Sequence, residues 1–276
     1  MPRNGGRLSA EEIDAFRRDG LVIAPQRLPP DILATLRDAL DRLIADNAAV
    51  RPEQLISAHI THGNTENVKG QDAFLQLARS PAILDMIDQL IGPDIVLWGC
   101  QVFCKPPQDG QEVPWHQDGR YWPIRPMATV TAWVALDDST SENGCMRFLP
   151  GSHQAGRSYR HRVDSRPDLA LDLTIDEDLD FATARDVALQ SGQLSLHDVF
   201  LVHGSNANRS SKRRAGIAIR YMPTSSLFDR AMYEPRTLPN GLRVDYRNRP
   251  IWLLRGRNHS GRNDFTIGHG ALAGHR

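Results

Sequence analysis

From about residue 94 the chain is written in short β-type runs with no helical segments between them, and this pattern narrows the fold more than any other feature. "DIVLWGCQVFCKPP", "ATVTAWVALDD", "GCMRFLPGS", "GQLSLHDVFLVHG" and "RRAGIAIRYMP" are rich in β-branched and aromatic residues and are punctuated by Gly, Pro, Asn and Asp. A parallel sheet needs a crossover, usually a helix, between successive strands. None is written here, so a doubly wound sheet is not expected. Many short antiparallel strands in one segment predict a mainly β sandwich or jelly roll.

The first third reads differently. Ser9 and Glu12 form a capping-box pattern at the head of "SAEEIDAFRRDG", with Gly20 placed as a stop. "LVIAP" reads as a short strand. "PPDILATLRDALDRLIADNAAV" sets Ile32, Leu33, Leu36, Leu40, Leu43 and Ile44 on one helical face, and "SPAILDMIDQLIG" repeats the arrangement. The 276 residues therefore predict a single domain: a helical part over 1–92, a β core over 93–225 and an Arg- and Gly-rich covering segment over 226–276.

Lys plus Arg and Asp plus Glu balance at 33 each, so no net field draws the chain to nucleic acid or a membrane. Three scattered cysteines, Cys100, Cys104 and Cys145, make neither a disulfide framework nor a zinc motif. The opening residues lack the apolar core of a signal peptide, and no apolar run reaches membrane-spanning length. A cytoplasmic protein is expected.

Chemistry concentrates in two places. In "VPWHQDG", residues 113–119, His116 and Asp118 stand at i and i+2, so an extended chain points both to one face. They are either a hydrogen-bonded pair or two thirds of a metal site. "LVHGSNANRSSKRRAGIAIRYMP" adds His203 at the end of an apolar run, Ser205 two residues on, and Arg214 at the start of the next strand. Two His and one carboxylate can occupy one face of an octahedral ion, as in non-haem Fe(II) oxygenases, leaving three positions open. A 2-oxo acid fills two of them and O2 the third. The planar guanidinium of Arg214 suits the far carboxylate of such an acid, and the Ser205 hydroxyl can donate to it. His197 in "LSLHDVF" competes for the third ligand position, but Asn208 rather than a base stands eleven residues beyond it and no His-Gly-Ser follows.

The segments "KPPQDGQEVPWHQDGRYW", "TAWVALDDSTSENGCMRFLPGSH" and "GQLSLHDVFLVHGSNANRS", with an arginine eleven residues after the second histidine, resemble the phytanoyl-CoA dioxygenase family of Fe(II)/2-oxoglutarate-dependent oxygenases. "FRRDGLVIAP" resembles the family's start, and similarity runs through roughly residues 9 to 223. The resemblance implies a double-stranded β-helix, a cupin-like jelly roll, with helices outside one sheet. It implies His116, Asp118 and His203 as iron ligands, and Ser205, Arg214 and Trp133 as contacts of 2-oxoglutarate. Gln101 falls where relatives place a residue against the co-substrate, and Lys69 in "ENVKGQ" falls near a co-substrate lysine of some relatives. The implied reaction hydroxylates a small organic molecule, a biosynthetic intermediate among the candidates, while 2-oxoglutarate and O2 yield succinate and CO2. With no nucleotide-binding loop evident, such a molecule is favoured over an acyl-CoA. Two other readings stay open: a cupin-type metalloenzyme that does not use 2-oxoglutarate, and a non-catalytic small-molecule-binding jelly roll.

Further residues carry weaker expectations. Gln101, Phe103 and Lys105 alternate onto one strand face, which predicts an interior Gln101; Lys105, beside two prolines, is placed on the rim. His59 and His62 have the spacing of one helical face, as a separate metal site or as part of the active-site mouth. His153 in "PGSH" is read as a turn residue. Arg120, Tyr121 and Trp122 are expected to border the substrate space or to form an ordinary loop. Arg120, Arg125, Arg255 and Arg257 fit an anionic substrate or a solvated surface equally well. Oligomeric state is not legible.

Overall fold

The computed structural model describes residues 6–62, 67–120, 122–237 and 242–269. Helix α1 (Ala10–Asp19) is closed at its head by the capping box and at its tail by Gly20, whose φ of 82° is the left-handed stop that a side chain would resist. Strand β1 (Leu21–Arg27) follows, then α2 (Pro30–Asp46), α3 (Asp72–Ala78) and α4 (Pro81–Ile91). The buried stripe of α2 is Leu33, Leu36, Ala39, Leu40 and Leu43. Ile32 departs from the expected face: it is 43% exposed, one position off the stripe.

The β region begins with β2 (Ile95–Lys105) and β3 (Val113–His116), then β4 (Val130–Ala135) and β5 (Met146–Phe148). It continues with β6 (Arg185–Val187), β7 (Gln193–Asp198), β8 (His203–Ser205), β9 (Arg214–Pro223) and β10 (Trp252–Arg255). The larger sheet runs β1-β7-β4-β9-β2-β10, every pair antiparallel. The smaller runs β6-β5-β8-β3, also antiparallel. Two antiparallel sheets face to face with helices outside the larger one make the jelly roll, the double-stranded β-helix. The covering segment is more than a cover, because Trp252–Arg255 supplies an edge strand against β2.

Alternation along β9 divides its side chains. Ala215, Ile217, Ile219 and Tyr221 join the helix-facing core, while Arg214, Gly216, Ala218 and Arg220 face the space between the sheets. Strand β2 does the same until the register slips between Arg220↔Gly99 and Tyr221↔Leu97, leaving Trp98 as an extra residue. This β-bulge changes the phase of the pleat. Cys104, Val102, Cys100, Leu97 and Ile95 stay against the helices, and Trp98 joins Val96 on the inner side. The interior therefore holds two polar stretches on neighbouring strands. One lies around Arg214 and the other around Arg220.

Candidate metal centre

His116 ends β3 and His203 starts β8, and the two are direct partners in the antiparallel register, with ring centroids 4.3 Å apart. Asp118 follows β3 in a 3-10 turn, its Oδ1 3.8 Å from His116 Nε2. Ligand atoms of His116, Asp118 and His203 all lie within 4.8 Å of one another, and all three residues are buried. The His-x-Asp spacing and the strand pairing together create this convergence.

Second contacts orient the set. His116 Nδ1 lies 2.8 Å from the Pro114 carbonyl and His203 Nδ1 lies 3.0 Å from the Leu201 carbonyl. A carbonyl can only accept, so each Nδ1 carries the proton and each Nε2 keeps its lone pair for an ion. Burial, and then the neighbouring His116, pushes His203 down to about 3, so its ring is neutral and fit to ligate. Asp118 Oδ2 accepts from Thr131 Oγ1 and from His197 Nε2, each at 3.4 Å, which leaves Oδ1 turned toward the histidines. Burial opposes ionisation of Asp118. Contacts with His116 and His197 and the charge of Arg220 outweigh it and hold the carboxyl well below its usual range. The donor set, two imidazoles and one carboxylate, fits a divalent first-row ion such as Fe(II).

Two cavities meet here. A small pocket runs inward past Trp133, His203 and Ser205 to Arg214, and a cleft of about 770 Å³ opens on the other side; both share Phe103, His116, Asp118 and Arg220. Arg214 is 3% exposed; its Nε donates to the Gly144 carbonyl at 3.1 Å and its Nη2 to Ser205 Oγ at 3.4 Å. Its guanidinium carbon stands 5.4 Å from the Trp133 ring centre. Lys105, its partner in register, is fully buried and donates to Ser205 Oγ at 2.7 Å and to the Asn206 carbonyl. Among the described residues neither Arg214 nor Lys105 has an ion-pair partner.

The sequence profile described as Phytanoyl-CoA dioxygenase (PhyH) matches residues 16–216. The chain belongs to the phytanoyl-CoA dioxygenase family. Among its relatives is a probable alpha-ketoglutarate-dependent hypophosphite dioxygenase of Stutzerimonas stutzeri, 34% identical over 153 residues, which cover 54% of this chain and 53% of that protein. Another is the peroxisomal phytanoyl-CoA dioxygenase of Bos taurus, 25% identical over 219 residues, covering 78% of this chain and 62% of that one. The matched part thus spans only about half to three fifths of those relatives' own lengths. Of solved structures, the apo form of the non-heme monooxygenase ThoJ matches with a TM-score of 0.66 at 25% identity, covering 89% of this chain and 84% of that one. CytC3 with Fe(II) and alpha-ketoglutarate also gives 0.66, at 22% identity and 96% coverage of each chain, a likeness of fold.

Against the expectations that family likeness raised, the structure distributes the site residues unevenly. Trp133, Ser205 and Arg214 line the small pocket. Gln101 does not: it stands on the cleft wall, where its Oε1 accepts from Arg220 Nη2 at 3.0 Å. Lys69 is exposed and lines neither cavity, because Asn47 holds its backbone at the surface, accepting from its N–H at 2.8 Å and donating to its carbonyl at 3.1 Å. The lysine behind Ser205 is Lys105, which the neighbouring prolines had placed on the rim. His197 backs Asp118 instead of joining the ligand set. His59 and His62 share no helix: a turn with Ser57 at φ 56° buries His59 against Trp252 and leaves His62 exposed. His153 sits in a 3-10 turn and bonds the Arg17 carbonyl at 3.1 Å.

Near the cleft, Trp122 lines the wall, Arg120 is exposed away from it, and Tyr121 lies outside the described residues. Arg125 and Arg255 pair with Asp229 and Asp85, and Arg257 is exposed. Sequence reasoning missed Arg220. The signal was available, since it stands six residues after Arg214, an even step on the same strand.

Proposed function

We propose that this chain is a non-haem Fe(II)/2-oxoglutarate-dependent dioxygenase that hydroxylates a small organic molecule. The overall change is R–H + 2-oxoglutarate + O2 → R–OH + succinate + CO2, in which one oxygen atom enters the substrate and the other enters succinate. Relatives named for ectoine and L-proline act on molecules of this size class. The observation that carries the reading is the buried guanidinium of Arg214, without an ion pair among the described residues and lining, with Ser205 and Trp133, the same pocket as the His116–Asp118–His203 cluster. A buried cation without a partner is costly, and a dicarboxylate reaching from the metal to Arg214 removes that cost.

Bound iron would supply O2 activation coupled to decarboxylation of the co-substrate. The chain's own residues do the rest. His116, Asp118 and His203 would hold the ion through Nε2, Oδ1 and Nε2. Arg214 would grip the far carboxylate bidentately while Ser205 donates to it and Trp133 keeps the guanidinium flat. Thr131 and His197 fix the Asp118 carboxylate so that one oxygen faces the metal. The cleft admits the substrate from the other side of the cluster.

All three cysteines are free and buried, which suits a reducing cytoplasm. Among the described residues no helix is long and apolar enough to cross a membrane.

The test is anaerobic addition of Fe(II) and then 2-oxoglutarate to the purified chain. A visible charge-transfer band is expected, followed by succinate on admitting O2. Arg214→Ala should lose the band at the same co-substrate concentration. Absence of both band and succinate in the unaltered chain would overturn the reading.

A further inference from the structure

Two buried arginines, Arg220 and Arg249, stand on the wall of the cleft. Arg220 is 9% exposed, faces the interior from β9, and has a guanidinium carbon 5.0 Å from the Trp122 ring centre and 5.7 Å from that of Trp98. Its Nη2 is spent on Gln101, but its Nε–H is buried with no acceptor. The Nε1–H of Trp98, on the same wall, has none either. Arg249, 5% exposed, shares the spot: an ideal Cβ at Gly99 would lie 3.9 Å from both Arg220 Cδ and Arg249 Nη1.

Two of the more exposed arginines of the cleft are paired. Arg51 pairs with Glu53 and Asp109, each at 3.1 Å, and Arg166 pairs with Asp164 at 3.1 Å. The buried carboxylate of Asp245 is held by Arg243 at 3.3 Å and Arg247 at 3.0 Å. Among the described residues Arg220 has no ion pair. Asp118, which faces it, is committed to the metal cluster.

A buried donor without an acceptor is costly, and a native interior tolerates that where a ligand completes the bond. We propose that the prime substrate is an organic anion whose carboxylate or equivalent oxyanion docks on Arg220, with Trp98 donating beside it. This assignment rests on the oxygenase reading for the reaction that follows, but not for the binding. Trp98, Trp122 and Val244 supply apolar walls for the remainder of the molecule. Because Arg220 also borders the small pocket, its competing role would be a contact to the co-substrate, and the experiment separates the two.

Matched pairs of probes, phenylacetate against phenylacetamide and hexanoate against hexanamide, are titrated into the full chain loaded with Mn(II) and 2-oxoglutarate. Tryptophan fluorescence, reporting Trp98 and Trp122, and thermal shift are followed without turnover. The carboxylates should bind roughly tenfold or more tighter than the amides, as a charge-assisted bond predicts. Arg220→Gln should erase that difference while leaving the affinity for 2-oxoglutarate within about threefold of the unaltered chain. Arg220→Lys, which keeps the charge and loses the fork, should retain part of it and stands in if the glutamine variant does not fold. Equal binding of acid and amide by the unaltered chain overturns the proposal. So does a variant that weakens 2-oxoglutarate binding and leaves the pair difference intact. Failure of the oxygenase reading would show separately, as absence of the charge-transfer band and of succinate.

Discussion

Gly216 on β9 lies beneath the indole of Trp133 on β4, so close that an ideal Cβ would stand 2.1 Å from Trp133 Cζ2. No side chain fits there, and the contact is what lets the indole lie across the strand and under Arg214. Gly216→Ala must displace the ring toward the guanidinium or spread the sheet. Loss of about 1–3 kcal/mol of stability is expected, read from urea unfolding. A weaker 2-oxoglutarate affinity should accompany it, read from the charge-transfer titration.

Arg214 gives a second expectation. Its planar fork, held by Gly144 and Ser205, matches a carboxylate in a way an ammonium does not. Arg214→Lys should raise the Kd for 2-oxoglutarate by roughly tenfold. Fe(II) affinity measured without co-substrate should hardly change.

His197 touches the cluster through Asp118 Oδ2 and stands with its ring centre 4.9 Å from that of His203. Removing such an outer partner typically costs about 10–100-fold in metal affinity. His197→Ala should show this in a Co(II) titration by absorbance, with the ion still bound at saturation. His203→Ala should abolish binding in the same assay.

Lys105 sets a pH dependence. Burial, with Arg214 beside it, pushes its pKa down from 10.5 to about 6. Between those values the unfolded chain holds a proton that the folded chain lacks, so the lysine's contribution to stability is full above about 10.5 and is lost as pH falls toward 6. Lys105→Met should remove that dependence. The difference in unfolding free energy between unaltered chain and variant should change by roughly 2 kcal/mol between pH 6.5 and 8.5, measured by urea melts at the two values.

The jelly roll was legible because the strands carry their own punctuation and because α1 is framed by Ser9, Glu12 and Gly20. The meeting of His116 with Asp118 was legible because His-x-Asp is a spacing that survives folding unchanged. What the sequence hid depends on tertiary placement. Lys105 looked peripheral beside Pro106 and Pro107, yet its register partner is Arg214 at the mouth of β9. Lys69 falls near a co-substrate lysine of some relatives, and in the structure its side chain is exposed while Asn47 bonds its backbone N–H and carbonyl. His59 and His62 have helical spacing, but spacing alone cannot foresee the left-handed turn at Ser57. Gly216 carried no signal at all, since only the cross-strand indole makes its missing side chain necessary.

The extra residue at Trp98 leaves β2 with two halves whose pleats run out of step. Removing that one residue would close the bulge without turning either half over: Leu97 would follow directly on Gly99 in the present register, Ile95 and Leu97 would still face the helices and Val96 the interior, and the cleft would lose only the Trp98 indole from its wall. Length variation at a single position is therefore a lever on what the cleft accepts that leaves the co-substrate end of the same strand untouched.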